Sequence, residues 1–330
     1  MRFRALKLLM VFVVFPVSAY AAVPSVAVDI PPVYSLVDRV MGDLGSPELV
    51  IQQGASPHRY SMRPSEAAAM EHADAVFWVS EDLTPWFEGP LESLAGDALS
   101  VELMSLPGVV QLEYREGPTF DSHGHDHEDH AHEHEHEHEH EHEHEHHADG
   151  GHHHDHHGSN PHGWLDPANA VVWLDAIADT LAKADPEHAG TYRENARRSK
   201  ADIKALSNEL EAQLVDAKDV RFVVFHDAYQ YFENRFDVSA VGAISLGDAS
   251  QPSPARVDEL RNRVVEQNVD CVFSEPQFNP QLVKSVFGGT GANTSIVIDP
   301  LGTDLPLDGE LYPQLLRKLA NAVSECAQTR

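Results

Sequence analysis

VAVDIPPVYSLVDRVM, residues 26–41, is the stretch from which the fold is read. Val26–Ile30 is an apolar run of strand length. Pro32–Met41 then places Val33, Leu36, Val37 and Val40 on one helical face. A strand followed at once by an amphipathic helix is half of a βαβ unit. The alternation continues with strands expected at Glu48–Gln52, Ala75–Val79, Leu99–Leu103 and Val109–Leu112, and helices at Pro64–His72 and Pro85–Leu94. It returns after residue 216 with strands at Arg221–Phe225, Val238–Ile244, Asp270–Phe273 and Ser295–Ile298. Helices are expected there at Asp227–Phe236, Pro254–Asn268, Pro280–Phe287 and Leu311–Ala327. Repeated βαβ patterning implies an α/β fold whose sheets are mostly parallel and covered by helices.

Between the two series lie two helices, Pro167–Ala184 and one starting at Pro186 and running to about Asp216. Ile203, Leu206, Leu210 and Leu214 form an apolar stripe on the second. At 1.5 Å per residue a helix of this size reaches ~45 Å, longer than one small domain is wide. The expected organisation is a first α/β lobe over 22–185, a linking helix over 186–216 and a second α/β lobe over 217–330.

Residues 1–21 read as a secretory signal. Arg2, Arg4 and Lys7 precede the apolar core Leu8–Val17, and Ala19-Tyr20-Ala21 fits a small-x-small cleavage pattern. That core is too short to span a bilayer, and no cysteine stands near the cleavage site to carry a lipid. An exported, periplasmic, monomeric protein without membrane insertion is expected. The net charge of −30 argues against nucleic acid and anionic membranes and suits cationic partners.

The most biased segment is residues 121–158. It holds His123, His125, His127, His130, His132, His134, His136, His138, His140, His142, His144, His146, His147, His152, His153, His154, His156 and His157, 18 of the 23 histidines in the chain, and no lysine or arginine. From His132 to His146 histidine alternates with glutamate. A strand here would have no apolar face to offset a backbone ordering cost of ~1–2 kcal/mol per residue, so a disordered accessory metal loop is expected. Histidines two apart on an extended chain lie ~6.6 Å apart, close enough for two to share an ion in many interchangeable sites.

Five histidines lie elsewhere. His72 and His188 fall on helix ends and read as surface residues. His58 follows the second strand, His226 directly follows the Arg221–Phe225 strand, and His162 sits just before a helix. Asp299 follows the Ser295–Ile298 run, and Glu275 closely follows Asp270–Phe273. Ligands of open α/β sheets bind beyond the carboxyl ends of the strands. If the lobes face each other, His58 and His162 meet His226 and Asp299. Three imidazoles and a carboxylate suit Zn²⁺; Mn²⁺ or Fe²⁺ would call for more oxygen ligands. Cys271 and Cys326, in an oxidising compartment, are expected to form one disulfide, with two buried free thiols as the alternative.

Three blocks carry a family resemblance: Gly54-Ala55-Ser56-Pro57-His58-Arg59-Tyr60, Pro161-His162-Gly163-Trp164-Leu165-Asp166-Pro167 and Phe225-His226-Asp227-Ala228-Tyr229-Gln230-Tyr231-Phe232. With Phe273-Ser274-Glu275-Pro276-Gln277-Phe278 and Ile298-Asp299-Pro300-Leu301-Gly302 they resemble, in the same order, the zinc- and manganese-binding solute receptors of bacterial ABC uptake systems. The chain is most similar to the branch of periplasmic zinc receptors of the ZnuA type. The resemblance implies a two-lobed receptor joined by one rigid helix, with metal in the cleft and an inner-membrane ABC zinc permease as partner. It implies His58, His162 and His226 as ligands, Asp299 as the fourth, and Glu275 as the alternative fourth. Histidine at the third position, where manganese receptors tend to have glutamate, favours zinc over a manganese or iron receptor. The zinc branch also tends to carry a disulfide where Cys271 and Cys326 fall.

An enzyme is not expected: there is no His-Glu-x-x-His motif, no Gly-x-Ser-x-Gly elbow and no obvious general base beside a metal ligand. A zinc buffer acting through the histidine-rich loop is the remaining alternative.

Overall fold

The computed structural model of the chain describes residues 23–115, 120, 158–245 and 253–329. The expected leader and the run from His123 to His157 lie outside them. The first sheet contains β1 (Val26–Val28), β2 (Glu48–Leu49), β3 (Ala75–Trp78) and β4 (Leu99–Glu102) in the order β2-β1-β3-β4, every pair parallel. The second contains β5 (Arg221–His226), β6 (Ser239–Ser245) and β7 (Cys271–Val272) in the order β6-β5-β7, also parallel. Helices α1 (Pro31–Met41), α2 (Pro64–Glu71), α3 (Glu88–Leu94) and α4 (Pro167–Ala184) accompany the first sheet. Helices α6 (Gln230–Phe236), α7 (Pro254–Glu266) and α8 (Pro280–Phe287) accompany the second, and α5 (Ala189–Leu214) and α9 (Leu311–Gln328) complete the set.

The central strands are apolar on both faces because both faces are covered. In β3, Ala75 and Phe77 join the main core while Val76 and Trp78 pack in a smaller one with Met70 and Phe87. In β5, Phe222 and Val224 face the main core, and Val223 and Phe225 pack with Leu260, Val264 and Phe287. The main core is continuous from Val26 to Cys326, so both sheets lean on one apolar mass.

The connecting helix α5 is shorter than expected, 26 residues and so ~39 Å. Its start is set by Asp185, which accepts from the His188 backbone N–H (3.3 Å), lies 2.6 Å from His188 Nδ1 and accepts the Tyr192 hydroxyl (3.0 Å). Helix α9 also reaches across: Tyr312 N–H donates to Ser35 Oγ on α1 (3.0 Å), and Cys326 is disulfide-bonded to Cys271 of β7, with Cα atoms 6.0 Å apart.

Two expected strands are absent. At 109–112 the Asn169 side chain takes both polar groups of Val110, accepting from its N–H (2.7 Å) and donating to its carbonyl (3.1 Å), so no ladder forms. At 295–298 there is one parallel bridge, Ser274 with Val297. The Asn293 side chain captures the Ser295 N–H (2.9 Å) and turns the chain before a ladder is established.

Candidate metal centre

His226 is the last residue of β5 and is buried. Two atoms of Glu275 hold it. Oε1 accepts the His226 backbone N–H at 3.2 Å, and Oε2 lies 2.7 Å from Nδ1. A carboxylate facing Nδ1 keeps the proton there and leaves Nε2 as the lone-pair nitrogen, the usual outer support of a metal-ligating histidine. Phe225 stacks on Phe278 with centroids 4.0 Å apart, and Phe278 lies 5.8 Å from the His226 ring, giving the imidazole an apolar wall.

His162, also buried, is supported by an amide instead. Asn160 Oδ1 accepts the His162 backbone N–H at 3.0 Å and lies 2.8 Å from its Nδ1. Asn160 Nδ2 donates to Gln230 Oε1 at 2.8 Å, which fixes the amide with its oxygen toward His162. The following turn is anchored to the second lobe, Trp164 Nε1 donating to Pro300 O at 2.7 Å.

His58 is partly buried in the turn after β2. Trp86 Nε1 donates to Pro57 O at 2.8 Å, and Gln53 Nε2 donates to the carbonyls of Gly302 (3.3 Å) and Leu305 (3.0 Å). Gly54 has φ +84°, which favours glycine, and a Cβ there would meet Thr303 Cγ2 at 3.3 Å, so the methyl would have to give by a few tenths of an ångström.

These placements bring the three histidines together. The His58 and His162 rings are 5.6 Å apart by centroid, and those of His162 and His226 are 5.5 Å apart. Two imidazoles on one tetrahedral zinc, with Zn–N of ~2.0–2.1 Å, have centroids about 5.2 Å apart. The observed rings stand slightly wider, and among the described residues no three His, Cys, Asp or Glu side chains form a finished cage.

Asp299 lies in the loop that packs on the His58 turn. Its Oδ1 accepts from Leu301 N (2.9 Å) and Gln277 Nε2 (2.9 Å), and Oδ2 accepts from Thr303 N (2.6 Å). A carboxylate has about four acceptor positions, so three bonds leave one for a cation. Glu275 sits behind His226 with both oxygens directed at it, a position suited to orienting the ligand rather than being one. His188 is engaged with Asp185, and His72 is exposed on the C-terminal cap of α2.

Sequence reasoning did not single out Asn160, Gln230 or Arg115. Arg115 has a visible signal: it is the single lysine or arginine between Arg63 and Lys183. Its guanidinium reaches Asp227 and Glu233 of the second lobe.

A family model described as zinc-uptake complex component A, periplasmic, matches residues 26–326. The high-affinity zinc uptake system protein ZnuA of Brucella abortus is 46% identical over 304 residues, covering 91% of each chain. That of Paracoccus denitrificans is 44% identical over 308 residues and 93% of each. Among solved structures, a ZnuA deletion mutant with zinc bound aligns with a TM-score of 0.69 at 22% identity, over 91% of this chain and 96% of that one. A solute-binding protein, FpvC of Pseudomonas aeruginosa with Mn²⁺, aligns at 0.68 and 19% identity over 92% and 98%. At these identities the structures speak for the fold alone.

Proposed function

We propose, from the premise that the chain belongs to the family of periplasmic zinc-uptake complex A components, that it captures Zn²⁺ between its two sheets and delivers it to an inner-membrane ABC permease. Zn²⁺ is cargo here. The observation that carries this reading is the convergence of His58, His162 and His226, drawn from both halves of the molecule, with ring centroids 5.5–5.6 Å apart. Asp299 is the fourth ligand and offsets part of the ion's charge, since three neutral imidazoles leave the full 2+ in the cleft. A closed four-coordinate site holds metal without activating water, as suits a carrier. The histidine-rich segment is an accessory metal collector beside this site.

The test is a chelator-competition titration of the mature protein. One tight zinc equivalent is expected, lost in His58→Ala, His162→Ala and His226→Ala and weakened in Asp299→Ala. Retention of the tight equivalent in His162→Ala or His226→Ala would overturn the site. Weak equivalents only in the parent protein would leave the buffer reading in its place.

A further inference from the structure

Arg115 is a part-buried charge that the proposed site does not use. It lies on the chain leading into the histidine-rich segment and reaches across to the second lobe. Nε is 3.1 and 3.0 Å from the two Asp227 oxygens, and Nη2 also donates to Asp227. Nη1 donates to Glu233 Oε2 at 2.7 Å, and Nη2 donates to Glu233 Oε1 at 2.9 Å. Asp227 and Glu233 side chains are each 5% exposed. The guanidinium lies 3.7 Å from the Phe120 ring centroid, and Phe120 N–H donates to Val241 O on β6 at 3.0 Å.

What the fork grips is the turn after His226. Asp227 is the next residue, and Ala228 N–H donates to His226 O at 2.9 Å to close the turn. Glu233 Oε2 accepts from Ala240 N as well (3.0 Å), so one guanidinium joins the turn, α6 and the start of β6. On the other side of the histidine-rich segment, Asn160 holds His162 and donates to Gln230 and, at 3.5 Å, to Asp227 O. The chain segments entering and leaving that segment therefore both meet the Asp227–Gln230 turn, between two candidate ligands.

We infer that Arg115 is a positioning residue for zinc: by forking onto Asp227 and Glu233 it fixes the turn that aims His226 into the cleft. The inference rests on the proposed zinc site. Glu275 sets the ring from one side and the Arg115-held turn sets the backbone from the other. Without the guanidinium, two buried carboxylates lose their counter-charge and Asp227 turns toward water, carrying the backbone at His226 with it. Lysine cannot replace the fork, because it offers one compact charge rather than paired planar donors.

The test uses the full mature chain, with chelator competition for the tight zinc equivalent and thermal unfolding without metal. Arg115→Met is expected to lower the melting temperature and weaken tight zinc 10- to 100-fold, the range for outer supports of metal ligands, with Arg115→Lys intermediate. Both effects could come from poor folding, so the deciding variant is Arg115→Met with Asp227→Asn and Glu233→Gln, which removes the unpaired charges. It is expected to regain the melting temperature and remain at least tenfold weaker for zinc. Recovery of parental zinc affinity, or Arg115→Met binding as tightly as the parent, would overturn the inference. Absence of a tight equivalent in the parent would instead strike at the proposed site.

Discussion

Glu275→Gln tests how His226 is aimed. In the parent, one carboxylate meets the same residue twice: Oε1 accepts the backbone N–H at 3.2 Å, and Oε2 lies 2.7 Å from Nδ1. Both groups are buried, so water cannot take over either bond. Glutamine keeps the volume but has one acceptor oxygen, so one His226 N–H must face an NH₂ group. The bond that survives falls from the charge-assisted range of ~1.5–3 kcal/mol toward the neutral ~0.5–1.5, and the unmatched donor costs a further ~1–3 kcal/mol. Much of this is present with and without metal and is expected to appear as lost stability of the zinc-free protein. The part that depends on the basicity and aim of Nε2 is expected to weaken zinc 10- to 100-fold, about 1.4–2.8 kcal/mol. Chelator competition near neutral pH measures the affinity, and thermal unfolding of metal-free protein measures the stability. An affinity within twofold of the parent would refute the orienting role. Complete loss of tight binding, with Asp299→Ala unaffected, would instead make Glu275 the fourth ligand.

Two further outcomes follow from groups away from the cleft. Cys271→Ala with Cys326→Ala opens a link between residues 55 apart, which in the chain-entropy account is worth about 4 kcal/mol. Thermal unfolding is expected to show that loss while zinc affinity stays within twofold, because Cys271 pairs with Phe222, four residues and ~13 Å before His226 on β5. Asp29 is fully buried between the ends of β1 and β3, its oxygens accepting from Ile30 N and Val79 N at 2.7 Å each. Burial raises its carboxyl to about 7 against those bonds. An acid raised in the folded state favours the fold most below its unfolded value. Between pH ~4 and ~7 this group is therefore expected to remove about 4 kcal/mol of stability as pH rises. Denaturant titrations across that window should show the slope in the parent and its absence in Asp29→Asn; a parallel slope in both would refute it.

Much of the fold was legible because both sheets obey one rule. Apolar runs of strand length precede helices opened by proline, and α4 and α8 begin and end where that pattern predicts. His162 and His226 were legible for a related reason, as each lies where an element begins or ends, whereas His58 stands nine residues beyond β2 and was marked by its sequence block. The losses have specific causes. The start of α5 moved because Asp185 recruits His188 and Tyr192, and the strand at 109–112 is lost because Asn169 occupies Val110. Neither competition has a periodic signature. The roles of Glu275 and Asn160 could not be read because they depend on which atom faces which ring nitrogen. Asn160 stands two residues from His162, but its partner Gln230 is 70 residues away.

The division of the proposed ligands between the halves bears on how zinc would be held and given up. His58 and His162 precede α5 and His226 and Asp299 follow it, so zinc held on the four proposed ligands would cross-link the molecule. Metal at a thousand times its dissociation constant would add about 4 kcal/mol to the joined state. Yet the halves are already tied beside the site. Arg235 forks onto Asp166 at 2.7 Å through both Nε and Nη2, Trp164 donates to Pro300 O, and Gln53 donates to two carbonyls of the 302–305 loop. Wide separation of the halves would break all of these at once. Of the three imidazoles, His162 and His226 are buried and held at Nδ1 by Asn160 and Glu275, whereas His58 is part-exposed on a turn. Of the three, His58 is the most exposed residue, but its turn is itself tied by Gln53 and Trp86, so release of zinc through a movement of that turn would have to break those bonds as well.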